Sequence, residues 1–232
     1  MATQEKSLRG SIGPSGTLNA DVRTSLTGQF LMAAAMQVRA AEEFESRPSA
    51  EVTENDTVAH RGFVVGAIMQ STAALECEVW ELTAYGPGHH LGSNGTDTAA
   101  RDFLVPIAEV IDSQSVLERY QLVLHLLKKT PLNRGEQPWQ DTALVVRLRN
   151  ELVHYKSRWG EELDRTGLLR ALQSKKHPKP PFVLSSNFFP YECLSAACAS
   201  WTARSCVAFL DSFYASLGFP GRLEPFRPRL LQ

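Results

Sequence analysis

The sequence lacks the features that would place it in a membrane or outside the cell. No stretch approaches the roughly 18 consecutive apolar residues that a membrane-spanning helix requires. The first 20 residues contain neither an apolar core segment nor a cleavage site of the kind that secretory signal peptides carry. We therefore expect a cytoplasmic protein with no membrane contact.

An excess of charge of either sign is also missing. The chain has 24 Lys and Arg against 25 Asp and Glu, which gives a formal net charge of −1. This balance excludes a protein that coats nucleic acid through an overall basic field. Any contact with RNA must therefore come from a local patch of basic residues.

Metal-binding and redox motifs are absent as well. The chain has 4 cysteines, and their spacing fits neither a zinc site nor a CxxC pair: Cys77, Cys193, Cys198 and Cys206. The pair His89-His90 lies in a glycine-rich loop with only Asp97 nearby, which is a poor set of metal ligands. There is no HExxH motif and no phosphate-binding glycine loop. We expect reduced core cysteines, no metal and no cofactor.

No segment of convincing length alternates apolar and polar residues with the period of a strand. The chain instead repeats apolar residues every three or four positions, as helices do. Such stripes include Leu31, Ala34, Val38 and Ala41, and later Val64, Ile68, Leu75, Val79 and Leu82. The pattern predicts an all-α, up-and-down bundle of about five to seven helices. We assign residues 1–24 to a loose leader, 25–218 to a single helical domain and 219–232 to a tail.

One predicted helix, from residue 139 to 159, carries a group of residues suited to phosphate chemistry. Its centre reads Arg149-Asn150-Glu151-Leu152-Val153-His154. An arginine presents a planar, permanently charged fork that matches phosphate oxygens, and a histidine exchanges protons near neutral pH. Since RNA carries its own nucleophile, the 2′-hydroxyl, this pair could support phosphodiester cleavage without a metal.

The helical geometry complicates this interpretation. At 100° per residue, Asn150 and His154 share a face, which Arg147 and Arg158 flank. Arg149 lies about 140° around the helix from His154. Three arrangements would bring the two together: Arg149 reaches around the helix, the helix bends, or a two-fold dimer completes the site from two copies.

A plainer interpretation of the same residues is a solvated polar face, in which Asn150 and His154 form an i,i+4 hydrogen bond. Glu76, Glu78 and Glu81 could add a carboxylate to the site, but salt-bridged surface is the default for them. The lysines near residue 175 are more typical of a soluble linker than of an RNA contact.

The run LRNELVHYK, preceded by Pro-Trp-Gln-Asp, resembles the signature of the HEPN superfamily, an R-[polar]-x-x-x-H motif of helical ribonucleases in toxin, defence and RNA-processing systems. The upstream helix AIMQSTAALECEVWEL and the lysine-ended helix after it fit that pattern, so the resemblance covers about residues 58–160 and, loosely, the last helix. It implies Arg149 as phosphate ligand, Asn150 as an orienting group, His154 as the catalytic proton carrier, and a homodimer. We expect the substrate-binding residues to be Arg147, Lys156 and Arg158.

Two functions follow from the sequence. The first is a HEPN-like RNA-binding protein or metal-independent endoribonuclease, in a toxin–antitoxin or defence setting, with RNA, a second copy and a protein partner or antitoxin as its partners. The second is a non-catalytic helical module that uses the same polar stripe for protein–protein interaction.

Overall fold

The computed structural model of the 232-residue chain describes residues 6–12, 18–91, 95–155, 167–185 and 187–230. The chain folds as a helical bundle, which confirms the predicted fold class. Within these ranges, five helices have eleven residues or more: α1 (Thr27–Glu45), α2 (Glu54–Tyr85), α5 (Val116–Leu126), α6 (Trp139–Val153) and α8 (Ala196–Leu217). Shorter helices join them: α3 (Thr98–Leu104), α4 (Ala108–Asp112), α7 (Leu168–Ser174) and α9 (Arg227–Leu230).

A two-stranded hairpin precedes the bundle, where the sequence predicted a loose leader without strands. Strands β1 (Lys6–Ile12) and β2 (Leu18–Thr24) pair antiparallel, with Lys6 opposite Thr24. The signal that the sequence analysis missed is the alternation of Leu18, Ala20 and Val22 with polar residues. Its period of two is that of a strand, and turn-forming residues separate the two runs.

Local caps set the ends of the longest helix. The helix α2 starts at Glu54 because Thr53 and Asp56 form a capping box. The Asp56 amide donates to the Thr53 hydroxyl at 3.2 Å, and the Thr53 amide donates to the Asp56 carboxylate at 2.9 Å. At its other end Gly86 takes a φ of 86°, which favours glycine.

The core lies around α2 and α8, which pack against each other and against α1 and α6. Every residue of the two predicted stripes on α1 and α2 is buried. Three of the four cysteines are buried and Cys77 is half-buried, all of them as free thiols. Burial raises the pKa of the Cys198 thiol to about 12, so this thiol stays protonated near neutral pH. Across the described ranges, no helix combines the length and apolar content needed to cross a bilayer.

A buried polar cluster ties the ends of the chain to α2, and we name it the Arg222 network. The Arg222 side chain is 1% exposed and its guanidinium contacts both Glu78 and Glu81 on α2, at 2.9 Å for Glu81. It also contacts Ser25, just before α1, and lies 3.0 Å from Nε2 of His89. We expected Glu78 and Glu81 on the surface, and this was wrong.

The Glu81 carboxylate of the Arg222 network stays ionised inside the protein. Burial opposes the ionisation of Glu81, but its contacts with His89, Arg222 and the Cys77 thiol outweigh burial and lower its pKa to about 2. Glu78 accepts a hydrogen bond from the buried Tyr214 hydroxyl on α8. The network therefore joins α2, α8, the loop after α2 and the C-terminal segment through charged hydrogen bonds.

Removing Arg222 should destabilise the fold strongly. Arg222→Met would leave the Glu78 and Glu81 carboxylates buried without their cation, a change that costs about 3–5 kcal/mol. Arg227→Met is the matched control, because Arg227 lies in the same segment and makes half-exposed ion pairs with Asp211 and Glu224 at 2.8 Å. We expect the control to lose about 0–1 kcal/mol. Urea unfolding followed by circular dichroism measures both values, and equal losses would contradict this role for Arg222.

Stability should fall below neutral pH because of His90. Neither nitrogen of its ring has a hydrogen-bond partner in the described part of the chain, and the ring packs edge-on against Tyr214 with centroids 5.1 Å apart. Burial, together with the neighbouring His89 and Arg222, lowers the pKa of His90 from 6.5 to about 4. As the pH falls from 6.5 towards 4, the unfolded chain binds this proton first and the folded state loses stability.

His90→Phe keeps the ring contact and removes the titrating group. We expect the melting temperature of this variant to fall less between pH 7 and pH 4.5 than that of the wild type. Thermal melts at both pH values test this, and an identical decrease in the two proteins would rule out His90 as the source.

Candidate functional site

The proposed site lies on α6, which uses one side to pack into the bundle. Leu144, Val145 and Leu148 are buried, whereas Arg147 and Asn150 on the other side are exposed. The helical periodicity of these residues explains why α6 forms there. Its packing against both α2 and α8 places Arg149 in contact with Glu76, in the C-terminal half of α2.

The helix ends six residues earlier than the sequence predicted. We expected it to reach residue 159, but its last residue is Val153 and His154 is the C-terminal cap, with φ −106° and ψ 25°. Tyr155 does not continue the buried stripe. Its ring, 43% exposed, packs against Phe189 with centroids 5.9 Å apart. His154 therefore stands at the end of a helix and not in its middle.

Arg149 reaches sideways along the helix surface and meets two partners. One terminal nitrogen, Nη1, donates to the side-chain oxygen of Asn150 at 2.9 Å, and the other, Nη2, contacts the carboxylate of Glu76 on α2. The Arg149 side chain is 25% exposed and that of Glu76 is 44% exposed. The structure thus brings Arg149 and Asn150 together, with the guanidinium at the surface.

His154 is exposed and holds its position through the backbone. Its amide donates to the Asn150 carbonyl at 2.9 Å. In the ranges that the structure describes, no side-chain hydrogen bond joins Asn150 to His154, and no hydrogen bond or ion pair joins Arg149 to His154. Within the described part of one chain, the polar partners of Arg149 are therefore Asn150 and Glu76, and His154 is not among them.

The structure gives different information on the three expected substrate-binding residues. Arg147 is exposed on α6, two residues before Arg149. Lys156 and Arg158 lie outside the described residues, as does Trp159 at the end of the predicted helix. Of this group, only Arg147 can be located relative to the motif.

Glu76 is the residue whose role at the site the sequence did not reveal. We interpreted it as salt-bridged surface, and it does form an ion pair, but with the motif arginine itself. The two residues are 73 positions apart, so no local pattern links them. The one available signal was a carboxylate on the helix expected to pack beside the motif.

Other histidines and lysines lie in different surroundings. His60 is buried and contacts Glu45 at 2.8 Å, whereas His125 is exposed. Lys175 pairs with Asp141 at the start of α6, and Lys179 lies 3.3 Å from Glu192. These lysines therefore bind neighbouring segments of the same chain.

A surface cavity of about 550 Å³ lies beside α5 and the connector that follows it. Its walls include Glu118, His125 and Arg134, and none of the motif residues line it. Within the described ranges, no three His, Cys, Asp or Glu side chains are grouped to hold a metal ion. In a single chain, the guanidinium of Arg149, the side-chain amide of Asn150 and the imidazole of His154 therefore lie on the surface and outside this cavity.

Comparison with known proteins gave no match, either to protein-family models, to curated proteins or to solved structures.

Proposed function

We propose that this protein is a HEPN-like RNA-binding protein that cleaves RNA without a metal, using the 2′-hydroxyl as nucleophile. The observation that carries the proposal is the guanidinium of Arg149, which lies at the surface and is hydrogen-bonded to Asn150. Asn150 is followed four residues later by His154, whose imidazole is exposed. Arg149 would bind the phosphate and stabilise the charge that develops on it. His154 would transfer the proton of the 2′-hydroxyl or of the leaving oxygen.

We further propose that the working site belongs to a homodimer. Two findings support this: no hydrogen bond or ion pair joins Arg149 to His154 in the described part of one chain, and the motif residues do not line the cavity beside α5. A two-fold axis near the end of α6 would bring Arg149 of one copy towards His154 of the other. Arg147 of both copies would then add positive charge to a shared groove.

A non-catalytic interaction module is the second candidate function. It is favoured by Trp80, which lies one helical turn from Glu76 on α2 and is 52% exposed. An exposed tryptophan beside an ion pair is typical of the centre of protein–protein contact surfaces. The partner would be a second copy or a cognate protein, such as an antitoxin.

RNA cleavage by the purified protein separates the two functions. In EDTA, we expect the wild type to cleave a fluorescent single-stranded RNA. His154→Ala should reduce the rate by about 10²- to 10⁴-fold, because a positioned acid–base group contributes that much. The matched control is His125→Ala, which removes another exposed histidine far from the motif in sequence and should keep the wild-type rate.

Equal, negligible cleavage by the wild type and His154→Ala would contradict the nuclease and favour the interaction module. Activity that disappears in EDTA would contradict the metal-independent mechanism. In a toxin or defence setting, overexpression should slow growth only when His154 is intact.

A further inference from the structure

The phosphate-binding group of the proposed site is already occupied in the free protein. Arg149 donates through Nη1 to Asn150 and pairs through Nη2 with the Glu76 carboxylate. A guanidinium binds carboxylate and phosphate oxygens with the same planar geometry. Glu76 therefore takes the position on Arg149 that an RNA phosphate would need.

We infer that Glu76 is a built-in competitor for the anion site, which a phosphate of the RNA strand must displace from Arg149. This inference rests on the proposed function, since it takes Arg149 as the phosphate ligand. Displacement is an exchange of one ion pair for another: the Arg149–Glu76 pair opens, and an Arg149–phosphate pair forms. The Glu76 carboxylate then returns to water.

Exposure makes this exchange feasible. Glu76 is 44% exposed and Arg149 is 25% exposed, so both partners can be rehydrated when they separate. Ion pairs of this kind are worth a factor of about 5 or less in an equilibrium constant. A carboxylate bound that weakly can hold the arginine in place and still give way to a phosphate.

The second arginine–carboxylate contact on α2 shows the opposite case. Glu78 and Glu81 are at most 5% exposed where they meet Arg222, and no ligand could replace them without opening the core. At 100° per residue they lie within about 60° of each other, whereas Glu76 is about 160° from Glu78. One side of α2 therefore carries the buried, permanent pairs with Arg222, and the opposite side carries the exposed, exchangeable pair of Glu76 with Arg149.

Asn150 fixes the orientation of the Arg149 guanidinium during the exchange. Because Nη1 stays hydrogen-bonded to Asn150 at 2.9 Å, the guanidinium keeps its orientation while Nη2 changes partner. A strand with many phosphates that meets several cations at once displaces the carboxylate more readily than a single phosphate does, because its other contacts keep it close to Arg149. The site should therefore discriminate against mononucleotides.

RNA binding by Glu76→Gln tests the inference. Fluorescence anisotropy with a labelled single-stranded 12-mer, in a His154→Ala background that prevents cleavage, measures the affinity. Glu76→Gln keeps the size of the side chain and removes its charge, so we expect binding about 5-fold tighter. AMP as unlabelled competitor should gain by a similar factor, because a single phosphate depends on Arg149 alone. Thermal melts check that each variant folds.

Two further variants exclude a general charge effect. Glu151→Gln removes one negative charge inside the motif segment, from a residue that is not a hydrogen-bond partner of Arg149, and should tighten binding by less than about 2-fold. In an Arg149→Ala background, Glu76→Gln should not tighten RNA binding, because there is no guanidinium for Glu76 to occupy. A gain that persists without Arg149, or one that Glu151→Gln reproduces in full, would overturn the competitor role.

The result also separates this inference from the function on which it rests. If Arg149→Ala does not weaken RNA binding, the proposed function fails. If Arg149→Ala weakens binding and Glu76→Gln leaves it unchanged or weaker, Arg149 keeps its role and only the competitor role of Glu76 is wrong.

Discussion

The fold depends on one buried cation. Arg222, near the C-terminal end of the chain, gives its guanidinium to two carboxylates on α2 that are 141 and 144 residues away. Ionised groups in a core are unfavourable unless each has a partner, so this cluster forms only when the loop after α2, the start of α1 and the C-terminal segment are all in place. The Arg222 network therefore holds α2 in a fixed position relative to the segments that surround it.

The fixed position of α2 matters for the candidate site, because α2 also carries Glu76, the partner of Arg149. One side of the helix is held by the Arg222 network and the apolar core, and the other carries Glu76 beside α6. Since α6 packs its apolar side against α2 and α8, Arg149 is held within reach of Glu76. The same chemistry, arginine with carboxylate, therefore stabilises the fold where water is excluded and forms an exchangeable contact where water has access.

The position of His154 adds a second consequence. The end of α6 at Val153 frees the imidazole from the helical register, in which it would have stood about 140° from Arg149. In the described part of the chain, no hydrogen bond or ion pair links the imidazole of His154 to the guanidinium of Arg149. Under the proposed function, a second copy would have to complete the site, and the exposed Arg149–Glu76 pair would have to open for RNA to bind.

Much of the fold could be predicted from the sequence, because apolar stripes such as Leu31 to Ala41 are local. The prediction of α6 was too long because the turn at His154 coincides with packing of Tyr155 on Phe189, a contact between distant segments. The hairpin was missed because its alternation covers only Leu18, Ala20 and Val22.

The candidate site follows the same rule. Arg149, Asn150 and His154 could be selected from their spacing and residue types. The pairing of Arg149 with Glu76 and the burial of Glu78 and Glu81 could not, since both depend on partners more than 70 residues away along the chain.

Complementation between inactive variants tests the central claim most directly. Arg149→Ala and His154→Ala are each purified, mixed under conditions that exchange subunits, and assayed for RNA cleavage in EDTA. If Arg149 and His154 act on one phosphodiester from two copies, half of the dimers are mixed and each has one intact site, so the mixture should recover about a quarter of the wild-type activity. A mixture as inactive as its components, beside an active wild type, would contradict a site shared between two copies.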